Sequence, residues 1–164
     1  MIKPIIKLPN PILRQKSKEA KEVTQDMKEL IEDMAETMKE SQGVGLAAPQ
    51  VGVLRRIIIV KTQDGPQAFV NPKIIRKSKK KETEEEGCLS LPGIRLEIKR
   101  AKEVEVEALD KEGREIKIKV QDLTARIIQH EIDHLDGILF IDRIPFWRRW
   151  KIGRKLSKER PKIT

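Results

Sequence analysis

Gln129-His130-Glu131-Ile132-Asp133-His134 contains both histidines of the chain, four residues apart, with a glutamate directly after the first. On a helix of about 3.6 residues per turn, positions i and i+4 share a face, so two imidazoles can close on one divalent ion. Glu131 then lies beside that ion and is placed as a base rather than as a ligand. The flanks extend the helix: Leu123, Ile127, Ile128, Ile132 and Leu135 recur at helical spacing, with Asp122 placed to cap the start and Gly137 to close the end. The alternative is a helix with two histidines facing solvent.

A catalytic metal site takes three protein ligands and keeps one position open, so the histidine pair needs a partner. In the pattern HExxHxxGxxH the third ligand is a histidine; Gly137 fits, but Phe140 occupies the ligand position, which excludes that class. A glutamate on a later helix is the second option, and the only Glu downstream is Glu159, in a basic terminal stretch of the kind that frays. Cys88, the single cysteine, remains, within Glu86-Gly87-Cys88-Leu89-Ser90. A thiolate is a natural ligand, because metal binding deprotonates the thiol. For an isolated cysteine the alternative is a buried inert thiol, against which stand Gly87 and the acidic residues before it.

Upstream, Pro4, Pro9 and Pro11 predict an extended segment wrapping the domain. A helix is expected from about Thr24 to before Gly43, with Met27, Leu30, Ile31, Met34, Ala35 and Met38 as its core-facing stripe. Residues 55–60 read as a buried strand, and Asp64-Gly65 as a turn into Ala68-Phe69-Val70. Alternation at Val104, Val106, Ala108 and at Ile116, Ile118, Val120 predicts a hairpin. The stretch from Arg76 to Glu86, basic then acidic, reads as a solvated excursion. The elements add up to an α+β fold, with antiparallel sheets packed around a central helix carrying HExxH, plus an N-terminal helix and a C-terminal helix. Residues 1–143 are expected to form a catalytic metallohydrolase domain and residues 144–164 a basic helical extension of it.

A chain of 164 residues suits one domain with a core of its own. One cysteine excludes an internal disulfide, the first residues lack the apolar stretch of a secretion signal, and Ile57-Ile58-Ile59-Val60 is far short of the roughly 20 residues that cross a bilayer. A cytoplasmic protein without membrane association is expected. Charged residues make up 37% of the chain, a Lys- and Glu-rich composition of the kind found in proteins from hot environments. Of the net charge of +9, the segment from Arg143 onward carries most, since its only acid is Glu159. A helix is expected from Pro145 to Lys158, with Trp147, Trp150 and Leu156 docking it and Arg148, Arg149, Lys151, Arg154, Lys155 and Lys158 on its other faces. That helix is read as a contact for the ribosome and its RNA, the alternative being a cationic surface that keeps the protein dissolved.

Three segments taken in order, Gly43-Val44-Gly45-Leu46-Ala47-Ala48-Pro49-Gln50, Glu86-Gly87-Cys88-Leu89-Ser90 and Gln129-His130-Glu131-Ile132-Asp133-His134, resemble the signature motifs GxGxAAxQ, EGCLS and QHExDH of the peptide deformylases. The resemblance covers the chain to about Arg143. It implies removal of the formyl group from the N-terminal formyl-methionine of nascent polypeptides, with release of formate. It also implies one divalent ion on Cys88, His130 and His134, with Fe(II) favoured natively and Zn, Ni or Co acceptable to the same donors. Glu131 would move the proton, while the Gln50 side chain and the Leu89 backbone N–H would face the developing oxyanion. Gly43 and Gly45 would let an extended substrate backbone approach. Val44, Leu89, Leu123 and Ile127 would wall the methionine pocket, with Glu86 at its rim and Arg95 near the downstream substrate. Two other readings share parts of this sequence: a general metallopeptidase with an open cleft, and an RNA-binding protein with a structural metal held by four protein ligands.

Overall fold

A computed structural model describes the backbone of residues 1–158 and the side chains of residues 1–154. The strands are β1 (Gly45–Ala47), β2 (Ile57–Thr62), β3 (Gly65–Lys77), β4 (Lys81–Cys88), β5 (Leu91–Ala101), β6 (Glu103–Leu109) and β7 (Glu115–Gln121); the helices are α1 (Gln25–Glu40), α2 (Asp122–Leu135) and α3 (Phe146–Lys158). β1-β2-β3-β6-β7 form one antiparallel sheet, and β4-β5 a separate antiparallel pair.

The unbroken apolar run in β2 has a direct cause. Ile57 and Ile59 pack with Met27, Ile31, Met34 and Met38 of α1, while Ile58 and Val60 pack with Ala125, Ile128 and Ile132 of α2. A strand covered by a helix on each face has no solvent side and shows no alternation. The α1 helix starts where expected, the Thr24 hydroxyl accepting from the Met27 N–H. The hairpin β6-β7 pairs Val104 with Val120, Val106 with Ile118 and Ala108 with Ile116, as the alternation predicts.

The α2 helix carries His130, Glu131 and His134 and is buried from Ala125 to Leu135. Its C-terminus closes as expected: Gly137 sits at φ +71 and donates to His134 O, and Ile138 N–H donates to Asp133 O, the paired bonds of a Schellman turn. A Cβ at Gly137 would collide with the backbone of Arg14, so the turn also seats the N-terminal segment. The start of the helix differs from expectation. Asp122 is the first helical residue at φ +55, the cap position falls on Gln121 with no side-chain bond, and the Asp122 carboxylate lies 3.8 Å from Lys102 Nζ.

Residues 76–86 are not a loose excursion. They finish β3 and form β4, which pairs with β5 from Lys81↔Ala101 to Gly87↔Arg95 before a register shift at Cys88. Charges on the exposed positions of β4 hide a strand whose inner end, Glu86, is buried. β5 turns Leu91, Ile94, Leu96 and Ile98 onto Leu13, Leu139, Phe140 and Ile144, a third core cluster under the N-terminal segment.

The α3 helix forms near its expected limits, but Trp147 and Trp150 do not dock it: they are 61% and 57% exposed, beside Phe146 at 74%. Ile152 packs inward instead, toward the Leu139, Phe140 and Ile144 cluster. The side chains of Leu156, Lys155 and Lys158, and Glu159 altogether, lie outside the described residues. No helix among the described residues is long and apolar enough to cross a membrane.

Candidate metal centre

A cleft of about 510 Å³ opens between β1 and the β4-β5 pair, with α2 beneath it. At its base the donor atoms of Cys88, His130 and His134 lie within 4.8 Å of one another, and Cys88 Sγ is 3.4 Å from His134 Nε2. A tetrahedral ion with Zn–S near 2.3 Å and Zn–N near 2.05 Å sets such donors about 3.3–3.6 Å apart, the separation that Cys88 Sγ and His134 Nε2 already have. The two histidines meet because α2 places them one turn apart. Cys88 arrives from the other sheet, at the register shift that ends β4.

Of the three donors, His130 is oriented from behind, whereas His134 Nδ1 is buried with no hydrogen-bond partner among the described residues. His130 Nδ1 lies 2.9 Å from Glu86 Oε1, and hydrogen bonds from His130 and Arg100 hold the Glu86 carboxyl down at about 2 although burial works against ionisation. An ionised Glu86 makes His130 Nδ1 the proton-bearing nitrogen and leaves Nε2 for the ion. Burial lowers the basicity of His130, but contacts with Cys88 and Glu86 outweigh it and raise the group to about 10; an ion on Nε2 would take the place of the second proton. Burial and the neighbouring His130 charge push His134 well below its usual value, so it stands as a neutral imidazole.

Glu131 is not one of the three donors. Its Oε2 is buried with no partner among the described residues, and burial pushes its carboxyl up to about 7. Gly45 makes room for it: a Cβ there would sit 2.5 Å from Glu131 Oε1 and 2.8 Å from Ile127 Cγ2. A Cβ at Gly43 would sit 2.8 Å from Leu89 Cδ1. The visible work of both glycines is therefore to admit the side chains of Glu131 and Leu89.

Gln50 follows β1 in a short 3-10 turn, and its Oε1 accepts from Ala47 N–H at 3.0 Å. That bond identifies the oxygen end of the amide. Nε2 therefore faces inward, donating to Ser90 Oγ at 3.1 Å and lying 3.8 Å from Cys88 Sγ. Ser90 Oγ in turn donates to Ile6 O, so the N-terminal segment braces the amide from outside.

The other expected pocket residues all line the cleft, in different ways. Val44 and Leu123 are exposed on its lip, whereas Ile127 is buried in its wall. Arg95 is exposed and ion-paired with Glu85. Glu86 departs from its expected place at the rim: it is 6% exposed and gripped by Arg100 Nε at 2.7 Å and Arg126 at 2.6 Å besides His130. The residues missed from sequence are Arg100, Arg126, Asp133, Gln129 and Ser90. Arg100 occupies an inward position at the end of the β5 alternation, and that parity was the available signal.

The chain is similar to known proteins over nearly its whole length. A family model for polypeptide deformylase matches residues 2–150. The chain is 48% identical over 157 residues to a peptide deformylase of Pseudothermotoga lettingae, covering 95% of this chain and 91% of that one. It is 43% identical over 162 residues to the peptide deformylase of Rhizobium meliloti, covering 96% and 93%. Among solved structures, the peptide deformylase of Ehrlichia chaffeensis in complex with actinonin superposes with a TM-score of 0.91 at 39% identity, covering 98% and 99%. That of Thermotoga maritima gives 0.86 at 40%, covering 88% and 99%.

Proposed function

Because the chain belongs to the peptide deformylase family, metal-dependent hydrolases that remove the formyl group from N-formylmethionine, we propose a division of that work among its own residues. The observation that carries the proposal is the convergence of Cys88, His130 and His134 beside an unpartnered Glu131 carboxylate. The three donors hold one divalent ion, Fe(II) by preference. That ion, when bound, supplies an electrophile that polarises the formyl oxygen and acidifies water.

Glu131 takes the proton from the attacking water and delivers it to the departing amine; a carboxyl raised to about 7 is suited to both directions near neutral pH. Gln50 Nε2, held by its Oε1 bond to Ala47, donates to the oxyanion together with the Leu89 backbone N–H. The substrate lies extended beside Gly43, Val44 and the start of β1 at Gly45, since among the described residues β1 pairs with β2 alone and ends the five-stranded sheet. Ile127, Leu89, Val44 and Leu123 surround its methionine side chain, Glu86 supports the pocket from beneath, and Arg95 meets the residues that follow.

The α2 helix is read as the centre of the architecture, supported by its burial between the two sheets, with residues 144–164 as an extension of a catalytic unit ending at residue 143. The enzyme's substrates are nascent chains, and a cytoplasmic site of action is the reading that suits them. The exposed aromatic and cationic surface of α3 supports contact with ribosomal RNA. Deleting residues 146–164 is expected to weaken ribosome binding, with a smaller deficit at high salt because phosphate contacts are screened. Unchanged affinity at two salt concentrations would exclude the contact.

The test of the reaction is formate release from a formyl-Met peptide, run anaerobically with Fe(II). Activity should stop on chelation and return with the ion. Casein serves as the control, since cleavage of its internal bonds would favour a general peptidase.

A further inference from the structure

We propose that Arg143, which stands outside the cleft and touches no metal ligand, is a positioning residue for the metal centre, acting on His130 through Asp133, Arg100 and Glu86. The chain of contacts is continuous. Arg143 Nε and a terminal nitrogen donate to Asp133 Oδ2 and Oδ1 at 3.1 and 2.7 Å. Asp133 Oδ2 also accepts from Arg100 at 2.8 Å. The remaining Arg100 donors grip both Glu86 oxygens at 2.7 and 2.9 Å, and Glu86 Oε1 meets His130 Nδ1.

Burial gives this chain a direction. The side chains of Glu86 and Arg100 are 6% and 4% exposed, that of Asp133 is 12%, and that of Arg143 is 41%. Arg143 is the most solvent-facing link, and it completes the Asp133 carboxylate with a two-pronged contact that fixes the carboxylate plane. That plane aims Arg100, whose rigid fork carries the alignment to Glu86. The turn that carries Arg143, Phe140–Arg143, is anchored to the body of the protein. Phe140 and Ile144 of the same turn are buried in the third core cluster, and Asp142 accepts from Leu139 N–H at 2.9 Å and pairs with Arg14. The turn that starts the C-terminal extension is thereby tied to the ring nitrogen opposite the ion.

This inference rests on the assignment of Cys88, His130 and His134 as ligands, and the experiment separates the two. The full chain and its Arg143→Gln and Arg143→Lys variants are loaded with Co(II); the thiolate-to-cobalt absorption, the rate of cobalt loss to a chelator, kcat and KM for a formyl-Met peptide, and the melting temperature of each holoenzyme are then measured. Absence of the thiolate band in the parent defeats the ligand assignment itself. With the band present, Arg143→Gln is expected to shift the cobalt spectrum and release the ion about 3- to 10-fold faster, less than the 10- to 100-fold typical of groups bonded directly to a ligand. kcat should fall by a similar factor with KM unchanged. Arg143→Lys keeps the charge without the fork and should recover only part of the loss. A parental spectrum and release rate in Arg143→Gln overturn the proposal, whether or not the melting temperature drops, because a lower melting temperature alone describes a surface ion pair.

Discussion

Glu131→Gln is expected to retain the metal ion and to lower formate release about 100- to 10,000-fold, the range for losing a positioned acid–base group. The geometry separates the two outcomes. Cys88, His130 and His134 form the donor trio without Glu131, and the substitution preserves shape in a space that Gly45 leaves open for this side chain. Packing and metal affinity should persist while the proton carrier is lost. Burial raises the Glu131 carboxyl, so its basic form appears as pH rises through the value in the loaded enzyme; the acidic limb of the pH–rate profile should vanish in the variant. Metal content by atomic emission, read beside formate release, decides the point. Full activity in Glu131→Gln would move the base elsewhere, and loss of the ion would make Glu131 a ligand.

The parts of this site readable from the sequence are those set by spacing. The α2 helix, its histidine pair and its glycine terminus follow from a 3.6-residue period and one turn signal, and Cys88 follows from the chemistry of a third ligand. The α1 stripe and the β6-β7 hairpin follow from the same kind of pattern. The β4 strand was hidden because its exposed positions carry Lys and Glu, the composition of a solvated loop, although its register with β5 is continuous over seven pairs. Arg100 and Arg126 were hidden for a related reason: arginine is expected outside unless its partner is known, and Glu86, Asp133 and the backbone carbonyls that satisfy them come from distant segments. Trp147 and Trp150 show the opposite failure, since large aromatic residues on a helix suggest docking yet here remain exposed. Local periodicity reaches each element; it does not reach which buried charges meet between elements.

Glu86→Gln is expected to carry the largest stability cost of any single change at the site. Among the described residues Glu86 is the carboxylate shared by Arg100, Arg126 and His130, so its neutralisation leaves buried Arg100 with Asp133 and buried Arg126 with only the exposed Glu84, 3.6 Å away. Removing one partner of a buried ion pair costs about 3–5 kcal/mol. At about 2–4 °C per kcal/mol for a domain of this size, melting should fall by roughly 6–20 °C. The amide also loses its hold on the His130 tautomer, and metal affinity should weaken about 10- to 100-fold. The pH dependence carries the same signature. Glu86 has its carboxyl lowered from 4.5 to about 2, so its contribution is fully present above about pH 5 and disappears as pH falls toward 2. Thermal melting between pH 5 and pH 2 should therefore show a steep acid limb in the parent and a flatter one in Glu86→Gln. Parallel limbs would mean that the acid sensitivity arises from other carboxylates, and an unchanged melting temperature at neutral pH would mean that Arg100 and Arg126 are satisfied without Glu86.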